Sequence, residues 1–126
     1  MMANLSIGLS YKAVFTYLSH YWQSHKEDAD LGGLLSSMDP FLWKDGSPAD
    51  KSLVKDFIYI IKGISLSKEE LSPAEGFEVM LSYLEKQLDW LRLEKTIAAL
   101  KIVYSQQHSE EWTYWISNWN QTTDRD

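Results

Sequence analysis

The chain contains no cysteine, which excludes a disulfide framework and thiolate chemistry and fits a reducing compartment. Proline and glycine are scarce, at three and six of 126 residues. Neither recurs after Gly76, so the second half has few residues that interrupt helices. The longest apolar run, residues 57–61, is far too short to span a bilayer. Residues 1–12 lack a basic segment followed by an apolar one, so no secretion signal is expected and the expected compartment is the cytoplasm. Basic side chains are in deficit, with 12 Lys and Arg against 18 Asp and Glu and a net charge of −6. That balance disfavours nucleic acid and anionic membrane as direct partners and favours a basic one. Sustained period-two alternation is also missing, so the expected fold is all-α.

What is present is a series of helical stripes. Val14, Phe15, Leu18, Tyr21 and Trp22 share one face of a helix over residues 10–24, and Leu31, Leu34, Leu35 and Met38 repeat the spacing in a shorter one. Residues 39–46 read as a turn. Two phrases then rhyme: Ser47-Pro48-Ala49-Asp50 and Ser72-Pro73-Ala74-Glu75. A serine N-cap accepts a bond from a backbone N–H, proline at the first helical position loses nothing, and an acid at the third bonds back. Both phrases therefore predict helix starts.

The first of these helices is expected to run to about Lys62, with Leu53, Phe57, Ile60, Ile61 and Ile64 inward. Val54 and Ile58 widen its apolar face, which predicts burial on most sides, with Gly63 as C-cap. The second carries Phe77, Met80, Leu81, Leu84, Leu88 and Leu91, then a new stripe of Trp90, Leu93, Ile97, Leu100 and Tyr104. The phase changes at 88–93, which fits one long helix or two with a tight break. Ser109 caps a last helix with Trp112, Trp115, Ile116 and Trp119 on one side. The total is a bundle of about five to six helices in one domain, residues 1–126. A faint echo aligns Ser10, Phe15, Leu18 and Tyr21 with Ser72, Phe77, Met80 and Tyr83.

Catalytic constellations are poor. His20, His25 and His108 lack metal-ligand spacing. There is no nucleophile elbow and no glycine-rich phosphate loop. Residues 28–39 mimic a calcium loop through Asp28, Asp30 and Asp39, but glycine stands at its fifth position and Asp at its twelfth, so core packing of the leucines is the better account. Acid pairs such as Glu69/Glu70 and Glu75/Glu78 sit in helix first turns, where the dipole favours their charged form. No metal and no cofactor is expected. The tryptophans of the last helix read as a packed face, with a ligand or partner platform as the alternative. Trp43, between Pro40 and Lys44, is either an exposed interface anchor or folded back under its loop.

Acids concentrate around the two rhyming phrases, at Glu27, Asp28, Asp30, Asp39, Asp45, Asp50 and Asp56 and again from Lys68 to Glu78. The order of an aromatic helix, the segment 30–38 and then Trp43 to Phe57, with Leu34, Leu35 and Asp45 to Asp50 as its most distinctive letters, resembles bacterial immunity proteins of the contact-dependent growth inhibition type (CdiI-like). The likeness covers roughly Ser10–Lys62, with Phe57 where the pattern has another aromatic. It implies a cytoplasmic protein that binds the C-terminal toxin domain of a cognate delivery protein, often a basic nuclease. Such a protein occludes the toxin's active or substrate-binding face and performs no chemistry. On that reading Asp39, Trp43, Asp45, Asp50 and Asp56 face the toxin. The competing expectation is a helical regulatory or scaffold module that binds a partner, or itself, through the tryptophan helix.

Overall fold

The computed structural model describes residues 4–38, 51–64 and 70–122. Its elements follow in the order β1 (Leu5–Ser6), α1 (Ile7–Gln23), α2 (Ala29–Met38), α3 (Lys51–Ile64), β2 (Glu70–Leu71), α4 (Pro73–Lys86), α5 (Glu94–Ser105) and α6 (Glu110–Gln121). The expected all-α architecture holds, with six helices among the described residues. The addition is one short antiparallel ladder that places Leu5 opposite Leu71 and Ser6 opposite Glu70. Two-residue strands are too short to show alternation, which is why the pattern of apolar residues missed them. No helix among the described residues is long and apolar enough to cross a membrane.

Each strand leads directly into a capped helix. The Ser6 hydroxyl accepts from Leu9 N at 3.3 Å and caps α1, which begins at Ile7, three residues before the start that the apolar spacing suggested. Ser10 is therefore inside the helix, where its hydroxyl donates to Ser6 O at 2.7 Å. Ser72 opens α4 with the full predicted box: its hydroxyl accepts from Glu75 N at 3.3 Å, and the Glu75 carboxylate accepts from Ser72 N at 2.9 Å. Residues 47–50 lie outside the described residues. Gly63 does not cap α3 but lies within it. Nor is α3 buried on most sides. Phe57 and Ile61 are in the core, Ile58 and Ile60 are half-buried, and Tyr59 is 73% exposed. An aromatic or branched side chain widens an apolar face on paper, but only one stripe of a helix can meet its neighbours.

The core shows that the chain contains a structural repeat, in a register different from the echo between Ser10 and Ser72. Leu5, Ser6, Tyr11, Val14, Tyr17 and Leu18 correspond at one constant offset to Leu71, Ser72, Phe77, Met80, Tyr83 and Leu84. Ser6 and Ser72 are the two caps, and the other members are buried in both halves. The register continues to Leu31 and Leu34 on α2 and Ile97 and Leu100 on α5, all buried. Packing repeats with it. Helix α1 lies against α2 as α4 lies against α5, and each half passes its third helix to the other, α3 onto α4 and α6 onto α1. Tyr11 meets Phe57 edge-on at 5.2 Å and 88°, and Phe77 meets Trp115 at 5.1 Å and 89°. Tyr83–Phe57 and Tyr17–Trp115 match in the same way, at 5.6 Å and 5.1 Å. Edge-to-face pairs add to the stabilisation from area burial; the Tyr83–Phe57 and Tyr17–Trp115 contacts tie the halves together, and the other two hold each third helix to its own half.

The region after α4 is two helices and not one. A 3₁₀ turn, Gln87–Asp89, ends α4. The buried Gln87 side chain donates to Tyr83 O at 3.4 Å and accepts from the Trp90 indole at 2.9 Å. Trp90 itself is 58% exposed and Leu88 is also at the surface, so neither belongs to the inward stripes expected of them. Trp112, Trp115 and Trp119 of α6 are all buried. The Trp115 indole donates to Pro73 O at 2.9 Å. Trp119 lies flat enough on α4 that a Cβ at Gly76 would stand 2.2 Å from its ring.

Candidate functional site: an acidic cleft at the helix joints

The two joints of the repeat, α1–α2 and α4–α5, come together and leave an open cleft of ≈ 550 Å³ between them. Glu27, Asp28, Asp30 and Glu94 line it against Arg92 and Lys95, with Tyr21 and His25 forming an aromatic wall. The local sequence explains the wall. Tyr21 and His25 are one turn apart, and the imidazole stacks on the phenol at 4.0 Å and 4°, with Nδ1 2.9 Å from Tyr21 O.

Asp28 and Asp30 hold the cleft's edges. One Asp28 oxygen accepts from Leu31 N at 3.2 Å and caps α2, and the other accepts from the Thr96 hydroxyl at the start of α5. Asp30 accepts from Arg92 N at 2.6 Å. Trp22 completes the joint: its indole donates to Asp28 O at 3.2 Å and lies over Gly32, where a Cβ would come within 2.9 Å. The glycine that weakens α2 as a helix thus admits the indole. Of the carboxylates that resembled a calcium loop, Asp28 and Asp30 are taken up by these bonds and Asp39 lies outside the described residues; no group of three or more His, Cys, Asp or Glu among the described residues is placed to hold a metal ion.

Beyond Tyr21 the acidic character continues onto α6. The Tyr21 hydroxyl is pushed above its ordinary range by burial first, then by the charges of Asp28, Glu27 and Glu111. Tyr17, one turn earlier on α1, is raised further, by burial first and then by Glu111, Tyr21 and Tyr114. The charges that act on Tyr21 thus come both from the residues leading into α2 and from the first turn of α6. Phenols held neutral beside exposed carboxylates accept and donate hydrogen bonds but make poor proton acceptors, which suits recognition of a cation better than proton transfer. His20 stacks on Tyr114 at 3.9 Å and 19° at the outer edge of this surface.

Of the residues expected to face a partner, Asp39, Trp43, Asp45 and Asp50 lie outside the described residues. Asp56 is half-buried on α3, next to core Phe57. The tryptophan-helix platform is overturned as a surface, because its three indoles are core. The residues that sequence reasoning missed are Tyr21 as a cleft wall, Glu94 in the cleft lining and Glu111, whose charge acts on Tyr21. Glu111 is legible as a first-turn acid of α6, but nothing in its local sequence says that its charge acts on tyrosines of α1. No protein family, no curated protein and no solved structure matches the chain at a significant level.

Proposed function

We propose that this chain is a toxin-neutralising protein that binds a basic toxin domain, expected to be a nuclease, and covers its active or substrate-binding face in the cytoplasm. The carrying observation is the cleft in which Glu27, Asp28, Asp30 and Glu94 gather beside Tyr21, on a chain of net charge −6. A surface on which acids outnumber bases, four to two in the cleft, raises the encounter rate with a basic domain and disfavours acidic competitors. Asp39, Asp45, Asp50 and Asp56 belong to the same reading through their density in one segment of the chain, with Trp43 among them as an anchor. The chemistry is occlusion, so the binding energy alone has to account for neutralisation.

The test is co-expression of the tagged chain with the C-terminal domain encoded by the adjacent upstream reading frame. The expected result is a stable one-to-one complex and rescue of growth from a domain that is toxic alone. Asp39→Lys or Asp45→Lys should weaken that complex while the thermal unfolding curve stays in place. A chain that captures nothing and rescues nothing would refute the proposal.

A further inference from the structure

Of the five large hydrophobic side chains exposed among the described residues, three gather at one turn. Leu88 and Trp90 belong to the turn that ends α4. Tyr59 of α3, 73% exposed, lies beside it, with the Lys86 ammonium 5.5 Å from the centre of its ring. The turn is pinned from within. Gln87 O accepts from both Trp90 N and Leu91 N, at 3.2 and 2.9 Å. The Gln87 side chain is 1% exposed, and its Oε1 accepts from the Trp90 indole at 2.9 Å. A buried amide is costly unless it is bonded, so the glutamine and the indole fix each other. The result is a tryptophan whose N–H is satisfied and whose ring is still 58% exposed. At the corresponding place in the first half stands Ser24, and the tryptophan of that joint, Trp22, is turned over Gly32 with its indole bonded to Asp28 O. One joint is thus closed by its tryptophan, and the other holds its tryptophan outside.

The far end of the same stretch is tied to the acidic cleft. Arg92 N donates to Asp30 at 2.6 Å, and Arg92 lines the cleft. Two residues of chain span at most about 7 Å, so the Trp90 backbone stands at the cleft's rim. A single exposed apolar residue needs no explanation, but a cluster of them beside a charged cleft does. We infer that Trp90, with Leu88 and Tyr59, is the apolar anchor for the basic domain that the acids of the cleft attract; the identity of that partner rests on the function proposed above. Charge favours this occupant. Asp89 is exposed between Leu88 and Trp90, and the cleft beyond Arg92 carries four acids against two bases. A second copy seated on the patch by two-fold symmetry would bring the same charges face to face, on chains of net charge −6. An acidic domain would meet the same repulsion. The two parts of the surface act on different steps. Charges reach outward over about a Debye length and set the rate of encounter, whereas an indole seated in a partner slows its departure. An anchor already held in place loses little freedom on binding, so more of its burial appears as affinity.

The experiment is a surface plasmon resonance measurement of the full chain against the C-terminal domain of the upstream reading frame, at low and high salt. Trp90→Ala should speed dissociation about thirtyfold, as loss of a tryptophan anchor does, and leave association within about twofold. Tyr59→Ser should speed dissociation about threefold, as expected of a flanking contact. Glu27→Lys should do the reverse, slowing association, most at low salt, with little change in dissociation. Urea unfolding of each variant checks the fold, and Tyr59→Ser carries the test alone if Trp90→Ala does not fold. Variants that fold and dissociate as the unaltered chain does would overturn the anchor while the neutralising role survives. Slower association in Trp90→Ala with unchanged dissociation would overturn it too. A chain that dimerises in sedimentation velocity, and is returned to monomer by Trp90→Ala, would assign the patch to a second copy and overturn the basic partner there. Capture of no domain at all refutes the neutralising role and takes the anchor's partner with it.

Discussion

In the first half of the repeat, Tyr11, Tyr17, Leu31 and Leu34 occupy the places that Phe77, Tyr83, Ile97 and Leu100 occupy in the second. At the joints the likeness stops. Where α1 ends on Tyr21, His25 and Asp28, the corresponding places after α4 hold Gln87, Leu91 and Glu94. The first set makes an aromatic and acidic wall. In the second, Gln87 is turned inward to close a 3₁₀ turn and hold Trp90. Positions inside the core answer to the same packing in both halves and keep the same kind of side chain. Positions at the joints meet solvent and are free to differ, and the candidate site has formed there. Third helices differ too, for α6 presents Trp115 and Trp119 where α3 presents Phe57 and Ile61.

The strongest way to break this comparison is at the crossed helices. Trp115→Ala should cost about 3–5 kcal/mol, since it removes a fully buried ring, and it also strips Pro73 O of its donor. Phe57→Ala should fall at the lower end of the same range, having no hydrogen bond to lose. Urea denaturation of both variants checks the order, and a larger loss from Phe57→Ala would show that the halves are not energetically matched. Next come the glycines. Gly76→Ala drives a methyl into Trp119 and should cost about 1–3 kcal/mol, whereas Gly63→Ala, on an open helix surface, should raise stability by up to about 1 kcal/mol.

Smaller effects sharpen the match between the two helix starts. Ser72→Ala should cost about 1 kcal/mol, and Ser6→Ala less, because only Ser72 has a returning acid in a capping box. The last test is alkaline. Tyr104 is pushed up to about 12 by burial, then by donation of its hydroxyl to Glu78 at 2.8 Å and by that carboxylate's charge. A folded phenol that keeps its proton while the unfolded one loses it near pH 10 contributes stability that is complete below pH 10 and lost as pH rises towards 12. Tyr17 and Tyr21 are shifted the same way, so the decline should be steep. Tyr104→Phe should flatten it in thermal unfolding measured across that range.

Much of this was legible in the chain itself. The absence of alternation, the apolar stripes of α2 and α4 and the serine caps at 72 and 109 depend on residues within a turn or two of one another, so periodicity and capping chemistry determine them without knowledge of the rest. The tryptophans of α6 were legible as a packed face for the same reason. Other features depend on partners far along the chain. The break after α4 contains no proline or glycine. It is held by Asp28 and Asp30, whose carboxylates take the Thr96 hydroxyl and the Arg92 amide. The ladder between Leu5 and Leu71, the true register of the repeat, and the meeting of Glu27, Asp28 and Glu111 around Tyr21 are likewise settled only when the halves pack. Local pattern determined which residues form helices and which face is apolar. Tertiary structure decided where the helices end against one another and which charges share a surface, because those choices are made by bonds and fields between residues that no window of sequence contains.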